Sequence, residues 1–415
     1  MSGSARSPSA SGPRGIHRLR QLAAAGDADA AYQLGRCYAH GWAVAVDRDA
    51  ALRWLLVAAA GGHARAACAA TASYLESGGE ATLAARIPGV LEAACNAAEP
   101  EAFALRGWCR QHGRLLARDV VAAVRDYRLG AQGGSAGAAY NLALCLLRGV
   151  GTAVDIAGAV AALEQAAEQD HPRAQLMLGR LLSEGRGVAR DVTAALGWYR
   201  AAAATGYAKA QYNLGLLLLG GDGPEQDDAE AAHWIRRAAE QGLCKAQFTL
   251  ARLYRRGLGV PPDSRAAGHW LAQAASGGYP RAQYELARRC ARSGDAAAAR
   301  RWLRSAALAG FVRAQTALGQ ALIRHGDAID DREACAWFRR AAAADAAAAY
   351  NLGVCQLAGR GTPRDLLAAH RSLTRALALG APAAGRALAE LERRLDPATL
   401  AIARAAGGVR PLQRG

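Results

Sequence analysis

Lysine is nearly missing from this chain. Of 51 Lys and Arg residues only Lys209 and Lys245 are lysines, so a formal charge of +16 over 35 Asp and Glu rests almost wholly on guanidinium groups. Such a balance favours acidic partners, whether a protein surface, phosphate or an anionic membrane face. Aromatic residues are also scarce, at 6% against 52% hydrophobic in all. The chain must therefore bury its surface with Ala and Leu, which suits close-packed helices and excludes a sheet-rich fold. No stretch approaches the roughly 20 apolar residues of a membrane-spanning helix. The histidines are scattered, with no H-E-x-x-H and no cysteine partners at zinc spacing, so no metal site and no cofactor are expected.

What the chain does have is repetition. The stretch Ala210 to Gly242, AQYNLGLLLLGGDGPEQDDAEAAHWIRRAAEQG, can be laid over the sequence with starts at Ala30, Ala66, Glu101, Ala138, Ala174, Ala210, Ala246, Ala282, Ala314, Ala348 and Ala384. A self-similar period of this length marks stacked units, none of which buries its own apolar face alone. Within the unit, Ala210, Leu214 and Leu218 recur at helical spacing, as do Ala231, Trp234 and Ala238. Gly220, Gly221, Gly223 and Pro224 break the period between them, Asp227 or Asp228 supplies an N-cap, and Gly242 ends the second helix. Gly215 and Ala238 let the two helices approach, and Trp234 is expected to fill the space between layers.

The pattern A-Q-x-x-L-G, a G-x-G-V loop, an Asp, then A-x-x-W-x-x-x-A-A-x-x-G resembles the Sel1-like repeat, a relative of the tetratricopeptide repeat. Its loop is clearest at Gly185-Arg186-Gly187-Val188 and Gly257-Leu258-Gly259-Val260, and its tryptophan at Trp54, Trp198, Trp234, Trp270, Trp302 and Trp337. The resemblance implies an all-α, α/α superhelical solenoid of about ten to eleven helical hairpins, and a family that mostly offers binding surfaces. Some secreted relatives carry a regular disulfide pair in each repeat, and this chain does not. Cys37, Cys145 and Cys355 sit where other repeats carry Leu or Tyr, the behaviour of a small buried hydrophobe in a reduced, intracellular protein.

Residues 1–15 are Ser, Gly, Pro and Arg without an apolar run, so a disordered tail and no signal peptide are expected, and with them a cytoplasmic protein. A Ser-rich start is also what type III secreted bacterial effectors tend to have, which leaves a secreted effector that binds a host protein as an alternative. Residues 16–395 form the array. Within it 66–137 is degenerate, having lost the glycine loop and the tryptophan in its first copy, and Ala138 to Pro280 is the most regular part. Asp396-Pro397 opens a capping helix over 396–406, and 407–415 should fray.

Chemical motifs fail on context. Gly133-Gly134-Ser135-Ala136-Gly137 matches the G-x-S-x-G nucleophile elbow but occupies an inter-helix linker where the elbow needs a preceding strand. The G-x-G-V loops lack the P-loop Lys and Ser/Thr. The S-x-x-K signature is absent, because Gly206 and Gly242 stand three before the two lysines. No catalytic residue is assigned.

The first helix buries positions 0, 4 and 8, and in tetratricopeptide-like solenoids the face at −1, 2, 6 and 9 or 10 lines the concave groove. Position −1 reads Arg173, Lys209, Lys245, Arg281 and Arg313; position 6 adds Arg180, Arg252 and Arg288; the later positions add Arg256 and Arg292. Position 2 carries Tyr212, Phe248 and Tyr284, and Asn213 follows Tyr212. Lys209 with Asn213 is similar to the clamp by which some tetratricopeptide proteins hold a peptide's C-terminal carboxylate. Aromatic and basic rows side by side fit an acidic protein or peptide, and the chain reads as a non-enzymatic scaffold or adaptor. The same rows could stack bases and neutralise phosphates, which makes a nucleic-acid or other polyanion module the competing reading. Nothing here sets the oligomeric state. Reversing Arg252, Arg281 and Arg288 to Glu should abolish partner binding in a pull-down while changing stability by only about 0.5 kcal/mol, because exposed charges contribute little to folding.

Overall fold

The computed structural model describes residues 13–220, 226–325 and 327–406. The tails expected at 1–15 and 407–415 fall almost entirely outside the described residues, as do Gly221, Gly223 and Pro224 of the loop in the reference repeat. Among the described residues all regular structure is helical. By packing, the chain divides into two units, Met1–Leu214 and Gly215–Gly415.

The first unit holds α1 (Pro13–Ala24), α2 (Ala28–His40), α3 (Arg48–Ala60), α4 (Ala64–Ser77), the single turn α5 (Ala81–Ala84), α6 (Ile87–Asn96), α7 (Pro100–His112), α8 (Val120–Gln132), α9 (Ala136–Arg148), α10 (Ile156–Glu168), α11 (Pro172–Glu184) and α12 (Val192–Ala204). α13 (Ala208–Leu219) runs through the division. The second unit holds α14 (Asp228–Glu240), α15 (Cys244–Arg256), α16 (Ser264–Ser276), α17 (Pro280–Arg292), α18 (Ala296–Leu308), α19 (Val312–His325), α20 (Ala328–Ala341), α21 (Ala346–Ala358), α22 (Leu366–Ala378), α23 (Pro382–Arg394) and α24 (Pro397–Ala406). In each unit consecutive helices pair as hairpins and the hairpins stack, which makes the chain an α/α solenoid.

Local rules place the helix ends. In the regular repeats an Asp before the second helix caps it: Asp155, Asp191, Asp227 and Asp263 accept hydrogen bonds from Gly158, Ala194, Glu230 and Ala266 N–H at 2.8–2.9 Å. Between Asp227 and Asp228, the former is the cap. The first glycine of the loop, as at Gly185 (φ 65°) and Gly257 (φ 70°), takes the left-handed conformation that closes the first helix. The second glycine is required for another reason. A Cβ on Gly187 would strike Ile156, and one on Gly259 would strike the carbonyl of Asp228, the first residues of α10 and α14 in the preceding hairpins. The G-x-G-V loops are therefore stacking turns.

A feature invisible in the apolar pattern joins hairpin to hairpin. The glutamine after the repeat-start alanine is buried and donates its amide to a carbonyl eight residues earlier, in the last turn of the preceding second helix: Gln175 to Ala167 at 3.0 Å, Gln247 to Ala239 at 3.2 Å, Gln283 to Ala275 and Gln315 to Ala307 at 3.1 Å. Each of these carbonyls also accepts a backbone N–H of the closing turn, from Asp170, Gly242, Gly278 and Gly310, so the glutamine adds a second bond and gives its own buried amide a partner.

In several hairpins a glycine of the first helix meets a large side chain of the second. A Cβ on Gly179 would lie 2.8 Å from the Tyr199 ring, one on Gly319 2.6 Å from Phe338, and one on Gly215 2.5 Å from Ile235. These large residues follow the tryptophan position by one. Ile235 is wholly buried and Phe338 nearly so, while Trp234 is half-buried, with its indole N–H donated to Glu230 at 3.1 Å and the Arg237 guanidinium over its ring. Ile235 rather than Trp234 thus fills the space between the two helices of this hairpin. Helical phase decides it, since the residue one further along faces the glycine.

The cysteines lie as expected for small hydrophobes. Cys37, Cys145 and Cys355 are buried in the first helices, all nine thiols are free, and burial pushes the Cys355 thiol up to about 12. In place of the usual apolar contact, α7 and α8 carry a buried ion network. Arg106 donates to Asp126 at 2.7 Å and to Glu92 at 2.8 Å, and Arg110 reaches the other Asp126 oxygen at 2.7 Å.

At the far end Asp396 caps α24, and Arg404 on that helix donates to Glu392 at 2.7 Å while His370 binds the other carboxylate oxygen at 2.9 Å. These hydrogen bonds, Arg404's first, hold the Glu392 carboxyl at about 2, below its ordinary 4.5.

Two predictions follow from this packing. In thermal unfolding, Ile235→Ala should cost about 2–5 kcal/mol, more than Trp234→Ala, and Gln283→Leu about 1 kcal/mol through the lost hydrogen bond to the Ala275 carbonyl, which keeps its bond from Gly278 N–H. Because the Glu392 carboxyl is depressed on folding, its stabilisation of α24 is complete above about 4.5 and lost as pH falls toward 2. Amide exchange in α24 should accelerate over that window in the wild type, and Arg404→Ala should abolish most of the change.

Candidate functional site

Three helices of the second unit, and the start of a fourth, surround an open cavity of about 740 Å³. Its wall on α15 is Phe248, Ala251, Arg252, Arg255 and Arg256; on α16, Ser264, Ala267 and Leu271; on α17, Arg281, Tyr284, Glu285, Arg289 and Arg292; and beside them stand Phe311 and Arg313 at the start of α19.

The cavity exists because α16 is under-packed. α14 buries Ala231, Ala232, Ile235, Ala238 and Ala239, whereas α16 buries only Ala274 and Ala275. Leu271, the counterpart of Ile235, remains part-exposed, and Gly268 occupies the place where Ala232 fills the preceding hairpin. The Arg289 guanidinium takes up the space, with Nη1 2.8 Å from where a Gly268 Cβ would stand. A glycine inside a helix costs about 0.5–1 kcal/mol relative to alanine, so this vacancy is maintained against propensity.

Seven arginines and one carboxylate line the cavity. Glu285 leans toward Arg288, 3.7 Å away and outside the lining. Among the described residues no carboxylate lies within 4 Å of Arg252, Arg255, Arg256, Arg281, Arg289 or Arg313. Arg281 and Arg313 are also the second residues of their helices, where the backbone dipole adds to the positive field.

The residues read from the sequence separate as follows. Phe248, Arg252, Arg256, Arg281, Tyr284, Arg292 and Arg313 come together around the cavity. Lys245 and Arg288 do not line it. Arg288 sits on the neighbouring stripe of α17, with Glu285 and over the Tyr284 ring at 5.9 Å. Arg289 takes its place, and could have been found by continuing the helical stripe Arg281, Glu285, Arg289, Arg292. Phe311 was also missed; its signal is the aromatic or histidine that stands three before many repeat starts.

That position explains the aromatic row. Ring centroids of Tyr32 and His63 are 4.3 Å apart, Tyr140 and His171 4.9 Å, Phe248 and Tyr279 5.3 Å, and Tyr284 and Phe311 5.5 Å. Each position-2 ring therefore packs on the residue that begins the next hairpin, and the row is part of the inter-repeat joint.

In the first unit Arg173 lines a smaller depression of about 420 Å³ with His171, Pro172, Thr205, Gly206 and Tyr207. Burial raises the Tyr140 hydroxyl pKa, while Arg173, Arg148 and Arg180 act against it, so positions −1, 2, 6 and 10 do converge there. Arg180 is exposed and donates to the Met177 sulfur at 2.9 Å. Lys209 is exposed, and Tyr212 and Asn213 are half-buried, with Asn213 beside the Tyr199 hydroxyl, whose pKa burial raises.

Ser135 does not sit on a strand-to-helix elbow. It caps α9, its Oγ accepting from Ala138 N–H at 3.1 Å and donating to Glu101 at 2.7 Å, and a helix precedes it. Among the described residues no three His, Cys, Asp or Glu side chains are grouped so as to hold a metal ion, and no helix is long and apolar enough to cross a membrane.

Hairpins stacked through buried glutamines, with their exposed face given over to arginine, define a repeat protein built to present a surface. The chain belongs to the Sel1 repeat family, whose model matches residues 28–63, 136–171, 172–207, 208–243, 244–279, 280–311, 312–345 and 346–380. A protective antigen present in uropathogenic Escherichia coli strains, which displays an SLR fold, is similar at 25% identity over 94% of this chain and 93% of its own, with a TM-score of 0.63. A Sel1 repeat protein from Oxalobacter formigenes is 28% identical over 58% of this chain and 96% of its own, with a TM-score of 0.51. No curated protein matches the chain. Sel1 repeat proteins generally act as protein–protein interaction scaffolds, and the repeat fold is typically non-catalytic.

Proposed function

We propose that this protein is a non-enzymatic scaffold that binds an acidic protein or peptide at the arginine-lined cavity between Phe248 and Arg313. The observation that carries the reading is the charge of that cavity, seven guanidinium groups against one carboxylate whose charge is shared with Arg288 outside it. Clustered like charges left without counter-ions repel one another, and a partner that brings carboxylates relieves the repulsion with charge-assisted hydrogen bonds. Phe248, Leu271, Tyr284 and Phe311 supply an apolar floor for the rest of such a segment.

The engagement of the aromatic rings favours protein over single-stranded nucleic acid. Base-stacking platforms need free ring faces, and Phe248 and Tyr284 pack on Tyr279 and Phe311. An adaptor role, in which a bound segment is held for another component, follows from the long array on either side of the cavity.

The test compares the wild-type chain with a variant carrying Arg252→Glu, Arg281→Glu and Arg289→Glu, each immobilised and probed with cell extract. The wild type should retain acidic proteins identifiable by mass spectrometry. The variant should lose them at an unchanged melting temperature. Tight binding of RNA or single-stranded DNA with no protein retained would overturn the reading.

A further inference from the structure

The same cavity carries a sharper inference about the ligand, and it rests on the protein-binding reading above. What distinguishes this wall is the density of one donor type. Arg252, Arg256, Arg281, Arg289 and Arg313 are drawn from three helices around one space, and neither lysine of the chain lies among them. A guanidinium offers a rigid planar fork of donors matched to the paired oxygens of carboxylate and phosphate, where an ammonium offers a point charge. Facing forks from several helices ask for more than a carboxylate provides. A carboxylate brings one charge and two oxygens in a plane, so it satisfies one fork, or two at most. A phosphoryl group brings about −1.5 to −2 charge at neutral pH and three acceptor oxygens arranged around phosphorus, so it can meet forks approaching from different directions at once.

The packing of Arg289 points the same way. Its guanidinium lies against Gly268, in the room left by the missing side chain and the under-packed α16, while the residue as a whole stays exposed, and among the described residues no carboxylate lies within ion-pair reach of it. A cation brought there at a cost in both helix propensity and core burial is a positioned recognition group.

We infer that this cavity is a phosphoryl-recognition site, and that its occupant is a phosphorylated side chain of an acidic partner segment. Arg281, Arg289 and Arg313 hold the phosphoryl oxygens, and the aromatic floor takes the flanking residue.

Calorimetry on the full chain at fixed ionic strength tests it with three probes. These are a short peptide carrying one phosphoserine, the same peptide carrying two adjacent glutamates to match its charge, and inorganic pyrophosphate. The phosphoserine peptide should bind about tenfold or more tighter than the two-glutamate peptide, the margin expected from one or more added charge-assisted hydrogen bonds. Arg289→Lys should erase that preference while keeping the charge, whereas Arg288→Lys, outside the lining, should keep it. Equal affinity for the two peptides overturns the phosphoryl site and leaves the acidic-peptide reading standing. Binding of pyrophosphate with neither peptide retained supports phosphoryl chemistry but assigns it to a free polyphosphate, and it removes the peptide reading. Failure of all three probes overturns both.

Discussion

The regular joints of this array share one side-chain hydrogen bond that ties a hairpin to the one before it. Gln175, Gln247, Gln283 and Gln315 reach back to the Ala167, Ala239, Ala275 and Ala307 carbonyls in the last turn of the preceding second helix, which also accept the backbone N–H groups of Asp170, Gly242, Gly278 and Gly310. The bond is worth only about 1 kcal/mol in net terms, but it gives a buried amide its acceptor. It therefore acts chiefly as a constraint. It sets where one hairpin sits on another, and through that it sets where the loop glycines, the position-2 rings and the arginines fall.

The sequence made much of this legible and concealed the rest for identifiable reasons. Period, hairpin order, aspartate caps and glycine turns were readable because each follows from local backbone chemistry repeated many times. The role of the glutamine was not, since a polar residue on an otherwise buried face names no partner until the preceding helix is beside it. Trp234 and Arg288 were misplaced by one residue each, in favour of Ile235 and Arg289. On a helix one residue is a turn of about 100°, and repeat counting identifies the right rows without resolving which member of a neighbouring pair faces in. Seven of its lining residues stood in the repeat rows, but the cavity they surround could not be read. It arises from the burial that α16 fails to achieve, and its only trace in the sequence is a glycine at position 268.

Departures from a repeating rule are where function is expected to collect, because a consistent pattern gives up stability at such a place and recovers nothing locally in return. In this chain the two clearest departures differ in kind. The Arg106, Asp126 and Arg110 network replaces apolar packing with mutually satisfied charges, so its groups are already spoken for. The α16 cavity leaves charges unsatisfied and apolar surface open, and that is the condition of a surface awaiting a partner.

The second loop glycine has a consequence of its own. Gly187 and Gly259 lie directly on the first residues of α10 and α14, so each turn is moulded on a hairpin that comes earlier in the chain. The glutamines look backward in the same sense. The array therefore has a grain: during synthesis every hairpin that leaves the ribosome meets a finished template, and within either unit deletions from the carboxyl end strip away layers while leaving intact the surface on which each remaining layer was formed.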